Sequence, residues 1–206
     1  MEARPLPPEA QRAPAFGIGA ADFDGDGGVD LFLAQNFSQV PAEDVSFNAG
    51  LGLLLFGDGQ GGFRSIAAAD SGIRVEGDQR GAAVADYDGD GRTDLVVTQN
   101  AAETRILRNV VGKPGLRVRL EGPPNNPAAI GAHIRSEIAD GKGPAFEWHA
   151  GSGYWSQDSA TVVVPRPSPV AALHVRFPGK PWMRVEVPGT PADVRIDAVG
   201  KLTVLR

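Results

Sequence analysis

Hydrophobic and polar residues alternate along several segments beyond residue 112: Leu116-Arg117-Val118-Arg119-Leu120, Phe146-Glu147-Trp148, Leu173-His174-Val175-Arg176-Phe177, Met183-Arg184-Val185-Glu186-Val187 and Val194-Arg195-Ile196-Asp197. A period of two sends successive side chains to opposite faces, so each segment predicts an antiparallel strand with one buried side and one wet side. Turns containing Pro and Gly separate them, and together they predict a small antiparallel β-sandwich over residues 113–206. Upstream the pattern changes. The unbroken apolar runs Leu31-Phe32-Leu33-Ala34 and Leu95-Val96-Val97-Thr98 each end in Gln-Asn and read as buried strands stopped by a turn. Leu53-Leu54-Leu55-Phe56 and Phe63-Arg64-Ser65-Ile66 flank the glycine-rich stretch Gly57 to Gly62 and predict a hairpin. No segment sustains a helical period of 3.6 residues.

Composition supports the all-β reading. The 206 residues include 27 Gly and 17 Pro at 42% hydrophobic content, which is too rich in turns for a helical bundle yet sufficient for one or two cores. There is no cysteine, so disulfides cannot staple the fold and bound metal must take over part of that role if the chain works outside the cytosol. A net charge of -5, with Lys and Arg scattered, argues against nucleic acid as a partner. The apolar runs are far shorter than the ~20 residues of a membrane-spanning helix. Residues 1–15 are polar and proline-rich, read as a tail or linker, and contain no apolar core of a signal peptide.

Within residues 16–112 the chain repeats itself at an offset of 64. Gly17 pairs with Gly81, Ala21 with Ala85, Phe23 with Tyr87, Leu31 with Leu95, and Gln35-Asn36 with Gln99-Asn100. At the centre of each copy lies an acidic loop, Asp22-Phe23-Asp24-Gly25-Asp26-Gly27-Gly28-Val29-Asp30 and Asp86-Tyr87-Asp88-Gly89-Asp90-Gly91-Arg92-Thr93-Asp94. Carboxylates at positions 1, 3, 5 and 9 repel one another unless a cation sits among them, and calcium suits such a ring because it takes six to eight oxygen ligands from a pliant loop. Glycines at positions 4 and 6 permit the tight curl. An EF-hand is excluded, because position 12 is Leu33 in one copy and Val97 in the other where a carboxylate is required. Each loop therefore joins two strands. Repeats of this kind suggest propeller blades, and two blades do not close a ring.

The two loops with their flanking strands resemble FG-GAP (VCBS-like) repeats, the blades of integrin alpha-chain propellers and of many secreted bacterial proteins. The segments Leu116 to Gly122, Asn125-Asn126, Ala129-Ile130-Gly131-Ala132 and Gly151-Ser152-Gly153-Tyr154-Trp155-Ser156-Gln157 resemble an ASPIC/UnbV domain, which often follows such repeats. This chain departs from that pattern at Thr161 to Pro165, where a Phe-Gly-Leu-Gly stretch is usual, and at Phe177-Pro178. The resemblance implies two calcium ions. Asp22, Asp24, Asp26, Asp30 and the carbonyl of Gly28 would bind the first, and Asp86, Asp88, Asp90, Asp94 and the carbonyl of Arg92 the second.

Catalysis finds little to build on. His133, His149 and His174 are scattered, there is no Gly-x-Ser-x-Gly elbow, and isolated carboxylates such as Glu137 and Glu147 form no obvious pair. Trp148, Tyr154, Trp155 and Trp182 raise the possibility of sugar binding, and the loop Gly151 to Gln157 concentrates two aromatics among small polar residues. The expectation is a non-catalytic, extracytoplasmic, calcium-binding module for adhesion or for binding a protein or polysaccharide. The alternative is an accessory or capping domain of a larger secreted enzyme or propeller. Open blade edges would invite another chain, which makes self-association a candidate interaction.

Overall fold

A computed structural model of the chain describes residues 3–37, 40–41, 43–139 and 141–206. These residues are mainly β. Their helical elements are two four-residue turns, Pro8–Gln11 and Ala68–Ser71, the second closed by left-handed Gly72.

The first sheet is a meander of β1 (Ala15–Ala21), β2 (Asp30–Gln35), β3 (Leu53–Gly57) and β4 (Phe63–Ile66), in which β3 and β4 form the expected hairpin. The second repeats its start with β5 (Asp78–Ala85) and β6 (Asp94–Asn100) and ends with β7 (Ala102–Leu107). The copies match in register, since Ala21 lies opposite Asp30 and Ala85 opposite Asp94. The repeated Gln-Asn braces the exit from the inner strands. Asn36, held at φ 90, reaches Gly50, Glu76 and Gly77 through its amide, and Gln99 Oε1 accepts from the Gly77 amide at 3.1 Å.

β1 and β5 consist largely of Gly and Ala, which have little intrinsic preference for strands. Their small side chains instead let the two sheets approach closely. A Cβ on Gly17 would stand 2.5 Å from the Arg80 carbonyl oxygen, so only glycine fits there. Behind this contact the two sheets share one core containing Phe32, Leu54, Ile66, Val75, Leu95 and Val97. Full burial of a side chain such as Phe32 contributes about 1.5–3 kcal/mol.

The remaining strands are β8 (Leu116–Glu121), β9 (His133–Ile138), β10 (Gly141–Lys142), β11 (Phe146–Glu147), β12 (Thr161–Val164), β13 (Ala172–Arg176), β14 (Met183–Glu186), β15 (Asp193–Asp197) and β16 (Leu202–Val204). They form one sheet in the order β12-β8-β15-β16 and another in the order β10-β9-β13-β14, with β11 also on β9. Leu116, Val118 and Ile196 from the former and Ile134, Leu173 and Val175 from the latter fill a common core. The sandwich is not purely antiparallel as the alternation predicts. β15 runs parallel to β8, Asp193 opposite Arg117 and Ile196 opposite Leu120. Parallel neighbours need a long crossover, and residues 122–192 supply it through the facing sheet. Periodicity reports which side chains face inward and says nothing of strand direction.

The four sheets have a propeller-like arrangement around a cavity of about 650 Å³, lined by Ile18 and Ala20 of β1, Val84 of β5, Val162 of β12 and by Phe146 and Trp148. The C-terminal sheets thus stand where further blades would flank the first two. Of the four aromatics considered for sugar binding, Trp148 packs inward, on the buried side that the alternation of Phe146-Glu147-Trp148 predicts. It is 3% exposed, and its indole N–H donates to the Ala160 carbonyl at 2.9 Å, so it is a core residue.

Candidate metal centres

Both acidic loops leave a strand pair at the same point and are shaped by their own backbone. In the first, Asp22 accepts hydrogen bonds from the amides of Gly25 (2.7 Å) and Gly27 (3.0 Å), and Asp24 accepts from Asp26 (3.0 Å). At the far end Asp30, fully buried, accepts from Phe23 at 2.8 Å and Gly57 at 2.9 Å. In the second, Asp86 accepts from Gly89, Asp90 and Gly91, and Asp94 accepts from Tyr87 and Asn109. Glycines at loop positions 4 and 6 take left-handed backbone in both copies, with φ of 78 and 99 at Gly25 and Gly27 and 77 and 87 at Gly89 and Gly91. A side chain at any of the four would be strained.

This folding gathers Asp22, Asp24 and Asp30 so that one carboxylate oxygen from each lies within 4.8 Å of the others, and it does the same for Asp86, Asp88 and Asp94. These two triads could hold metal ions. Asp26 and Asp90 stand outside the triads, their Oδ1 atoms accepting from the amides of Gly28 and Arg92. The carbonyls of Gly28 and Arg92 accept no hydrogen bond among the described residues, which leaves them open to a cation or to water. An all-oxygen set, partly desolvated and rich in carboxylates, suits a hard divalent ion such as calcium.

The segment after β7 connects the two loops. Asn109 donates its side-chain N–H to the Phe23 carbonyl at 2.6 Å and its backbone N–H to Asp94 at 2.7 Å. The Lys113 amide donates to the Asp24 carbonyl at 3.0 Å, and the Gly115 amide to that of Gly91 at 2.8 Å. Residues 109–115 therefore form a strap across both centres. A cation in either loop would stiffen the same strap.

The two loops differ in how their charge is met. Among the described residues, no arginine or lysine pairs with the carboxylates of the first. In the second, Arg108 pairs with Asp88 and Asp90, Arg92 with Asp90 at 2.9 Å, and Arg117 with Asp86. Arg117 also reaches Asp193 at 3.1 Å and is 7% exposed, although alternation along β8 places it on the wet face. Sequence reasoning missed Arg108, Asn109 and Arg117. Each acts through tertiary contact, and none belongs to a local pattern that would single it out.

Burial pushes the Asp22 and Asp30 carboxyls up to about 6. Hydrogen bonds from Gly27 and Gly25 to Asp22, and from Gly57 and Phe23 to Asp30, oppose the shift, and neighbouring aspartates add to it. Burial likewise raises Asp94, while on Asp90 it is outweighed by the Arg92 amide and guanidinium, and that group falls below its ordinary value. With folded values near 6 against 3.8 when unfolded, ionised Asp22 and Asp30 destabilise the metal-free fold above pH 6, and this penalty vanishes as pH falls toward 4. A cation requires both groups ionised. Calcium affinity is therefore expected to be flat above pH 7 and to fall below pH 6, with protons released on binding. Calorimetry at pH 5.5 in buffers of differing ionisation enthalpy measures that release, and finding none would contradict this assignment.

Residues 22–97 match an FG-GAP-like repeat, and the match begins at the first aspartate of one loop and ends on β6 just past the other. The aspartate triads are consistent with the calcium sites of such repeats. That match gives no support for an ASPIC/UnbV domain in the C-terminal sheets. No curated protein matches the chain.

The three histidines do not converge. His174 Nε2 lies 2.7 Å from Glu137, His149 is beside Glu147, and His133 packs against Trp182. Glu137 also takes a two-pronged pair from Arg184, which with His174 holds its carboxyl at about 2. The loop Gly151 to Gln157 is cross-tied by the Gly153–Ser156 bridge, by the Gln157 side-chain bond to the His149 carbonyl and by Ser152 accepting from the Asp158 amide. It holds Trp155 at φ 48 and 86% exposed, stacked 5.2 Å from Tyr154. Tyr154 in turn meets Phe16, over which Arg80 lies at 4.3 Å.

Proposed function

We propose that this chain is a non-catalytic, calcium-stabilised β module that acts outside the cytosol in adhesion or assembly, binding a protein or polysaccharide. The observation that carries the reading is the pair of strapped aspartate loops, an investment in rigidity that resembles structural calcium sites more than a sensor. In this reading Asp26, Asp90 and the Gly28 and Arg92 carbonyls complete the two ligand sets. The C-terminal sheets are an ASPIC/UnbV-like unit following two blades.

The ligand surface in this reading is the Tyr154–Trp155 pair. An indole held out of the core in a left-handed conformation is strained, and such strain accumulates at binding sites. Exposed aromatic faces bury large area with little loss of side-chain freedom on binding. Trp155→Ala is expected to weaken retention on polysaccharide or partner-protein supports by at least roughly thirtyfold, the scale of an aromatic hot spot, while leaving the melting temperature unchanged. Affinity electrophoresis across a polysaccharide panel, with a protein array beside it, provides the measurement. Equal retention of variant and native chains would remove Trp155 from the site, and failure of the native chain on both panels would count against a binding role.

A second reading, a capping or accessory domain beside a larger secreted enzyme or further blades, is favoured by β7. That edge strand is exposed along nearly its whole length, with Ile106 61% exposed, and presents an open backbone edge to which another strand could add.

A further inference from the structure

We propose that the two acidic loops are inequivalent toward calcium, with Arg108 and Arg117 occupying part of the cation's role in the second, so that the first loop fills first and Arg108 is the group the second ion must displace. This rests on the calcium reading above.

Corresponding carboxylate oxygens of the two loops have different partners. In the first loop the Oδ1 atoms of Asp24 and Asp26 accept from backbone amides, while their Oδ2 atoms accept nothing among the described residues. In the second loop the Oδ1 atoms of Asp88 and Asp90 accept from backbone amides in the same way. Their Oδ2 atoms, however, are taken: that of Asp88 by Arg108 Nε, and that of Asp90 by Arg92 Nη1 at 2.9 Å and Arg108 Nη2 at 3.1 Å. Asp86 Oδ2 receives Arg117 in addition to the Gly91 amide, whereas Asp22 Oδ2 receives only Gly27. Three guanidiniums thus pair with three of the four carboxylates in the second loop, and among the described residues none pairs with a carboxylate of the first.

The arginines are also unlike each other. Arg117 is buried between Asp86 and Asp193 and cannot leave without stranding both. Arg108 spans Asp88 and Asp90 from a side chain that is 51% exposed, and water can receive it when it swings out. Positive charge within a few ångströms of a divalent ion opposes its entry, and each kilocalorie and a half of opposition weakens binding about tenfold. Among the described residues, no ion pair sets such opposition in the first loop.

Calcium titration by calorimetry tests the proposal on the native chain, Arg108→Gln, Asp24→Asn and Asp88→Asn. The native chain is expected to bind in two phases separated by at least about tenfold. Asp24→Asn should abolish the tight phase and Asp88→Asn the weak one, and Arg108→Gln should tighten the weak phase alone. A single class of two equal sites in the native chain, or unchanged constants in Arg108→Gln, would overturn the proposal while leaving calcium binding intact. No binding by the native chain would remove the calcium reading itself, and the proposal with it.

Discussion

Arg117→Met is expected to lower the unfolding free energy in calcium-free buffer by about 3–5 kcal/mol, the range for removing one partner of a buried ion pair. Methionine retains most of the stem and its packing, so the loss reports charge. What remains after the substitution is Asp86, 8% exposed, and Asp193, 7% exposed, with only Arg119 at 3.7 Å left near the latter. Asp193 already has a buried Oδ1 without a hydrogen-bond partner, so it has little reserve. Adding Asp193→Asn should recover part of the loss by deleting one stranded charge. Calcium should recover another part if an ion enters beside Asp86. Urea unfolding followed by tryptophan fluorescence measures all of these, and a single variant within about 1 kcal/mol of the native chain would show that the triad is energetically idle.

The second large effect is that of calcium on thermal stability. An ion that binds the folded chain alone, at a hundredfold excess over its dissociation constant, adds about 2.7 kcal/mol. For a chain of this size that corresponds to a rise of roughly 5–10 °C in melting temperature, reversed by a chelator. Asp24→Asn isolates the first loop cleanly. Asp24 accepts one amide through Oδ1, a bond an asparagine oxygen can also accept, so the variant loses a ligand charge and little else. It should melt no lower than the native chain without calcium and gain distinctly less with it. A native chain whose scan ignores both calcium and chelator would sink the metal assignment, whatever the geometry of the triads.

The reach of sequence reasoning varied with the range of the interactions involved. The repeated loop was legible because its chemistry is local: four aspartates and two glycines at fixed spacing dictate a curl whatever surrounds it, and the left-handed glycines lie at the expected positions. The 57–62 turn and the alternating C-terminal strands were legible for the same reason. Alternation failed at Arg117, where a neighbouring blade covers what would otherwise be the wet face of β8. It could not reveal the parallel β8–β15 pair, and outside the alternating segments it had no bearing on Trp155, which stands in solvent. Asn109 belongs to no local pattern, yet it contacts both acidic loops. These features depend on which surfaces meet, and no short stretch of sequence encodes that.

The pairing of β8 with β15 also orders the assembly of the molecule in time. Arg117 and Asp193 are hydrogen-bonded neighbours separated by 76 positions, so a chain emerging from the ribosome completes both blades well before β8 receives its central partner. Contacts of such long span form late because closing the intervening chain is entropically unfavourable. Until then Arg117 can engage only the blade side of its triad. The nascent blades thus offer an early docking point for β8, and the chain's last strands seal an interface whose position was already marked.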